Sequence, residues 1–130
     1  MFIAAGGEPE RSSPHYFVLG ESPWFAGLYA QPRTVRLPLS ALPPLATSFT
    51  CTDSVTALGL GVELGIPRPP QEHCRRLYPL HELAATLAEH GSPEVHPPAG
   101  YDGHQRTLLN YYVEVQLWSD GPLRATIGEE

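Results

Sequence analysis

The stretch YYVEVQLWSD, Tyr111 to Asp120, carries the side chains best placed to do chemistry. Successive side chains of an extended chain point to opposite faces. Tyr111, Val113, Val115 and Leu117 therefore share one face, and Tyr112, Glu114, Gln116 and Trp118 share the other. The second face sets a carboxylate beside an amide and frames them with two large aromatics. It is either a solvated surface or the wall of a site. Two other places put polar residues on strands. His15 opens HYFVLG, and Ser48 and Thr50 alternate along LATSFTCT.

Other chemistries find less support in the spacing. The six histidines lie at 15, 73, 81, 90, 96 and 104, and no two of them form the pairing that sets two ligands on one helix face. His73 and Cys74 are neighbours, but no second Cys or His pair stands at zinc spacing. No metal centre is expected, and the histidines read as solvated groups with helix-end contacts such as His90. There is no GxSxG elbow and no phosphate loop ending in Gly-Lys-Ser/Thr. GLGVELG falls inside a helical pattern, where Gly59 and Gly61 permit close packing at roughly 1 kcal/mol each in helix propensity.

The elements that must position these groups are short. Fifteen prolines and 12 glycines among 130 residues favour brief elements joined by stiff loops over a helical bundle. Residues 1–14, rich in Gly, Pro, Ser and charge, read as a flexible leader before a single domain over 15–130. Strands are expected at HYFVLG, at RTVRLPLSAL (an edge strand, because Pro38 lacks an amide proton), at LATSFTCT, at RRLYPL, at 111–118 and at LRATI. One helix follows an Asp53 or Ser54 cap and stops at Gly65. A second runs through PLHELAATLAEH, with Leu80, Leu83, Ala84, Leu87 and Ala88 at helical spacing and Gly91 as its end. The pattern is α+β, with mixed or antiparallel sheets of about five or six strands and two helices.

A formal charge of −6 provides no broad basic field for a phosphate backbone, so general nucleic-acid binding is not expected. No apolar run approaches the ~20 residues that span a bilayer. MFIAAGGEPE lacks the basic residues and the length of a secretory signal. These features lead us to expect a cytoplasmic protein without membrane contact, with Cys51 and Cys74 reduced and Cys51 in the core.

Taken in order, His15 in HYFV, SFTCTDSVTALGLG over 48–61 and VEVQLWSDGPL resemble the three motifs of the ADP-ribosyltransferase-like superfamily in its small bacterial members. The resemblance spans about residues 15 to 125 as short patterns. It implies a split sheet with NAD, consumed as substrate, held in a cleft between its halves, and ADP-ribosyl transfer or NAD cleavage of toxin or modifying-enzyme type. Glu114 would stabilise the positive charge that develops on the ribose as the nicotinamide bond breaks, and Gln116 would hold a ribose hydroxyl. His15 would hold the nicotinamide ribose, supported by Ser48 or Thr50, and Tyr16, Tyr112 and Trp118 would offer stacking surface. This chain departs from the family pattern at two points. The third motif there usually reads Gln/Glu-x-Glu, whereas this chain has Glu114-x-Gln116, and an amide cannot ionise. The tyrosine of the His-Tyr class would fall near Phe49, which donates no hydrogen bond.

The competing expectation is a protein-binding module without catalysis: an immunity or adaptor protein, or a degenerate relative of the enzyme fold. The proline-stiffened loops, SPWFAGLY and the negative charge would then form a recognition surface. The discriminating observation is whether His15, Ser48 or Thr50, and Glu114 or Gln116 converge in one concave site.

Overall fold

A computed structural model of the chain describes residues 1–20, 30, 35–69, 71–90 and 113–127. Its frame is a four-stranded antiparallel sheet of β1 (His15–Val18), β2 (Thr47–Thr50), β3 (Tyr78–Pro79) and β4 (Glu114–Leu117), in the order β1-β4-β2-β3. With its few short helices this is an α+β fold. β4 lies between β1 and β2, although it comes last in the chain. Its register sets Leu117 against both His15 and Thr47, Gln116 against Tyr16 and Ser48, Val115 against Phe17 and Phe49, and Glu114 against Val18 and Thr50.

Directly opposed residues of an antiparallel pair project from the same face. One face therefore collects Phe49, Val115 and Leu117, which are fully or almost fully buried and join Val113, Cys51, Cys74, Tyr78 and Leu83 in the core. Phe49 stacks on Tyr78 with ring centroids 5.0 Å apart, which ties β3 to the same core. The other face collects Ser48, Thr50, Glu114 and Gln116, and these are buried too. Neither face of the central strands is solvated.

Among the described residues, three helices flank the sheet: α1 (Ser54–Ala57), α2 (Leu83–His90) and α3 (Gly121–Ile127). Asp53 caps α1 by accepting from Thr56 N at 2.9 Å. The expected run to Leu64 breaks early, because Gly59 adopts a left-handed φ of 71° and the chain resumes as a 3-10 turn at Val62–Leu64. Gly65, at φ 86°, ends that turn as expected. α2 follows a 3-10 turn at Leu80–Glu82 and packs through Leu83, with Leu80 and Leu87 against the core.

Several expected elements differ. LRATI forms helix α3, not a last strand. Pro122 near the helix start has the φ a first turn needs, and Arg124 N donates to Asp120 O at 3.1 Å. In place of an edge strand, the stretch around Pro38 holds a 3-10 turn at Leu39–Ala41. The opening residues pack on the sheet: Phe2 is buried and stacks on Trp118, and Glu8 N and Glu10 N donate to Leu45 O and Trp118 O. Among the described residues, no helix is long and apolar enough to cross a membrane. Tyr111, Tyr112, the segment SPWFAGLY and Gly91, the expected end of α2, lie outside the described residues.

Leu83 is 6% exposed and anchors α2 to the core, so Leu83→Ala should destabilise the fold by about 2–5 kcal/mol. Urea or guanidinium melts read this directly. A loss below roughly 1 kcal/mol would show that α2 is not packed through this side chain.

Candidate functional site

Four of the residues singled out by the sequence meet on one face of β2 and β4. The Gln116 side chain is 1% exposed and is the hub of their contacts. Its Oε1 accepts from Ser48 Oγ at 2.8 Å. Its Nε2 donates to Thr50 Oγ1 at 3.1 Å and to Glu114 Oε1 at 2.9 Å. Ser48 Oγ in turn accepts from Trp118 Nε1 at 2.9 Å, and Thr50 Oγ1 donates to Thr52 O at 2.5 Å. Both ends of the amide are therefore engaged. A buried amide left without partners would cost about 1–3 kcal/mol per group. The geometry requires Gln at 116, because an amide both donates and accepts here and a carboxylate could only accept.

Glu114 is 8% exposed and also accepts from Ser54 N, the first residue of α1, at 3.2 Å. Burial raises its pKa above the ordinary carboxyl range, partly offset by the hydrogen bonds from Gln116 and Ser54. Tyr16 stands beside Gln116 in register on this face and is 61% exposed at the sheet edge.

His15 does not join them. It pairs with Leu117, which puts it on the opposite face, and its Nε2 lies 2.7 Å from Asp120 Oδ1. Arg11 contacts the same imidazole and donates to Asp120 at 3.0 Å, and Arg124 lies 3.7 Å from the carboxylate. The hydrogen bond from His15, followed by the two guanidinium charges, holds the Asp120 pKa below the ordinary carboxyl range. This partly exposed cluster is a surface charge network at the start of α3. Asp120 was not among the expected site residues, because only the β1–β4 register brings it to His15. Tyr112 lies outside the described residues, so its placement relative to Glu114 is not part of this site.

A second cluster was also hidden in the spacing. Cys51, His73 and Cys74 place their ligand atoms within 4.8 Å of one another, although Cys51 directly follows β2 and the other two sit in the 3-10 turn Glu72–Arg75. Cys74 Sγ lies 3.3 Å from His73 Nε2. The hydrogen bond between the two thiols, and then burial, push the Cys51 pKa up. His73 is shifted down, by burial first and then by the neighbouring His90, whose ring lies parallel to it at 3.7 Å. No disulfide joins the cysteines.

The raised pKa of Glu114 has a signed consequence. The folded carboxyl holds its proton more tightly than the unfolded one does. Glu114 therefore contributes most stability below the unfolded value, and that contribution is lost as pH rises through the folded value. Wild-type denaturation midpoints should fall across this window, and Glu114→Gln should fall less, because it keeps an acceptor for Gln116 and Ser54 and carries no charge. Equal slopes for the two proteins would show that Glu114 ionises as freely in the fold as in the unfolded chain. Comparison with protein-family models, with curated proteins and with solved structures finds no match, so the roles of these residues follow from their geometry alone.

Proposed function

We propose that the chain acts as a protein-binding module, not as an enzyme built on Glu114. The observation that carries this reading is a run of exposed aliphatic side chains on one short segment. Val55, Leu60, Val62 and Leu64 all point to solvent, Leu60 at 66% and Leu64 at 84% exposure. Scattered single apolar residues are ordinary on a surface, whereas a concentration within one segment is the mark of an interaction site. The segment is held in shape: Asp53 caps its start, Ile66 N donates to Gly61 O at 3.0 Å, and Arg68 Nη2 donates to Ala57 O at 3.2 Å. Such preorganisation lowers the ordering cost of binding. Asp53 and Glu63 border the aliphatics, and the chain carries a formal charge of −6. The partner this fits is a protein with an apolar patch rimmed by basic side chains. In this reading the buried Ser48–Gln116–Glu114 network fixes the strand register beneath the surface and leaves its polar groups already occupied.

NAD cleavage in the manner of an ADP-ribosyltransferase is the second reading, and one observation favours it. Glu114 is buried, and a carboxylate shielded from water stabilises a developing cation far better than one in water does. The separation of His15 from this face weighs against it.

The two readings diverge under direct tests. A photo-crosslinking residue placed at position 60 or 64 should capture the same protein in the expressing cells, and one at exposed Ser12 should not. With that partner purified, Leu60→Asp and Leu64→Asp should each weaken calorimetric binding by at least ~10-fold without lowering the melting temperature. Capture that does not depend on position, or unchanged affinity in both variants, rejects the surface. On the enzyme reading, wild type binds NAD and releases nicotinamide, and Glu114→Gln abolishes release while barely changing affinity.

A further inference from the structure

We propose that Cys51, His73 and Cys74 form a binding site for one zinc ion, on the side of the sheet opposite Glu114 and outside the binding surface described above. Three donors of the right type already converge. Their ligand atoms lie within 4.8 Å of one another, and the Cys74 Sγ to His73 Nε2 distance is 3.3 Å. Zinc bonds of about 2.3 Å to sulfur and 2.0–2.1 Å to nitrogen set the edges of a tetrahedron at roughly 3.3–3.8 Å. Closing the cluster onto an ion therefore requires side-chain movements of about an ångström, with the backbone of β2 and of the Glu72–Arg75 turn in place.

The surroundings fit a ligand set better than they fit plain core packing. A thiol is a weak hydrogen-bond donor and a weak acceptor, so an imidazole nitrogen held against buried sulfur is poorly satisfied by it. The supporting contacts orient the histidine. Tyr78 OH donates to His73 O at 2.7 Å, and the His90 ring stacks on the His73 ring at 3.7 Å with an interplanar angle of 1°. Arg76 lies over the Tyr78 ring at 4.3 Å, on the aromatic that holds the His73 carbonyl. Cys51 and Cys74 are buried while His73 is half-exposed, which gives the ion a path in from the histidine side. Thiolates and imidazole are the donors that zinc prefers. Three protein donors leave the fourth tetrahedral position to a water. On binding, each thiol loses its proton to solvent and two S–Zn bonds and one N–Zn bond replace bonds from zinc to water, with no change of oxidation state.

The test uses the full chain, purified without a histidine tag, reduced and stripped of metal. Zinc chloride titrated against a chromophoric chelator should load one ion per chain and release about two protons. Cobalt(II) in its place should give a thiolate charge-transfer band and the intense visible bands of a tetrahedral site. Cys51→Ser and Cys74→Ser should each weaken zinc binding by at least ~100-fold, beyond the 10–100-fold typical for losing an outer-shell partner. His73→Ala should weaken it by at least ~10-fold with circular dichroism unchanged. Because His73 is half-exposed, this variant carries the test if a serine in the core prevents folding. His81→Ala, an exposed histidine outside the cluster, should bind as wild type does. Absence of stoichiometric zinc, octahedral cobalt bands without thiolate charge transfer, or wild-type affinity in His73→Ala would each overturn the site. So would rapid closure of a Cys51–Cys74 disulfide in air by protein that takes up no zinc, which would make the cluster a redox pair.

Discussion

Gln116 is the side chain on which the central strands are registered. Its amide bridges Ser48, Thr50 and Glu114 across the β2–β4 pair. A shift of β4 by one residue would turn Gln116 and Glu114 into the apolar core and bring Val115 and Leu117 to the polar side. Both faces would then hold buried groups of the wrong kind. A buried polar network that is fully satisfied specifies one pairing, because every alternative leaves donors and acceptors without partners in a medium of low dielectric. The opposite face adds the gain from burying Phe49, Val115 and Leu117, but apolar packing tolerates sliding and swapping better than hydrogen-bond geometry does.

The same pairing explains why the helices can be so short. α1 has four residues and would not form alone. It is held by the Asp53 cap and by the bond from Ser54 N to buried Glu114. The charge network of Arg11, His15, Asp120 and Arg124 fixes the start of α3 against the edge strand β1. Its members are all at least partly exposed, so each pair adds little stability and mainly directs the chain after β4.

The two faces of the sheet thus offer different chemistry. On the Glu114 face the polar groups satisfy one another, which leaves few of them for a ligand. On the core face, the chain leaving β2 carries Cys51 to the turn that presents His73 and Cys74, where three donors of metal-ligand type converge. The surface segment 55–64 and the thiol cluster are neighbours, because Arg68 Nη2 donates both to Ala57 O at 3.2 Å and to Arg75 O at 3.1 Å.

The sequence by itself determined the alternation of YYVEVQLWSD, the strand at LATSFTCT, the Asp53 cap, the stop at Gly65 and the helix through Leu83, since each is set by contacts within a few residues. Local rules failed where a proline or glycine had two uses. Pro122 fits a hairpin turn or a first helical turn, and Gly59 fits helix packing or a left-handed break. Only the tertiary structure decided between them. It also decided which polar residues meet. Strand order β1-β4-β2-β3 places the last strand in the middle, and no local spacing encodes that. Through that order Gln116 finds Ser48 and Thr50, and His15 finds Asp120 in place of Glu114. Cys51 likewise meets His73 and Cys74 because β3 returns antiparallel to β2, a contact set by sheet pairing and invisible to ligand-spacing rules.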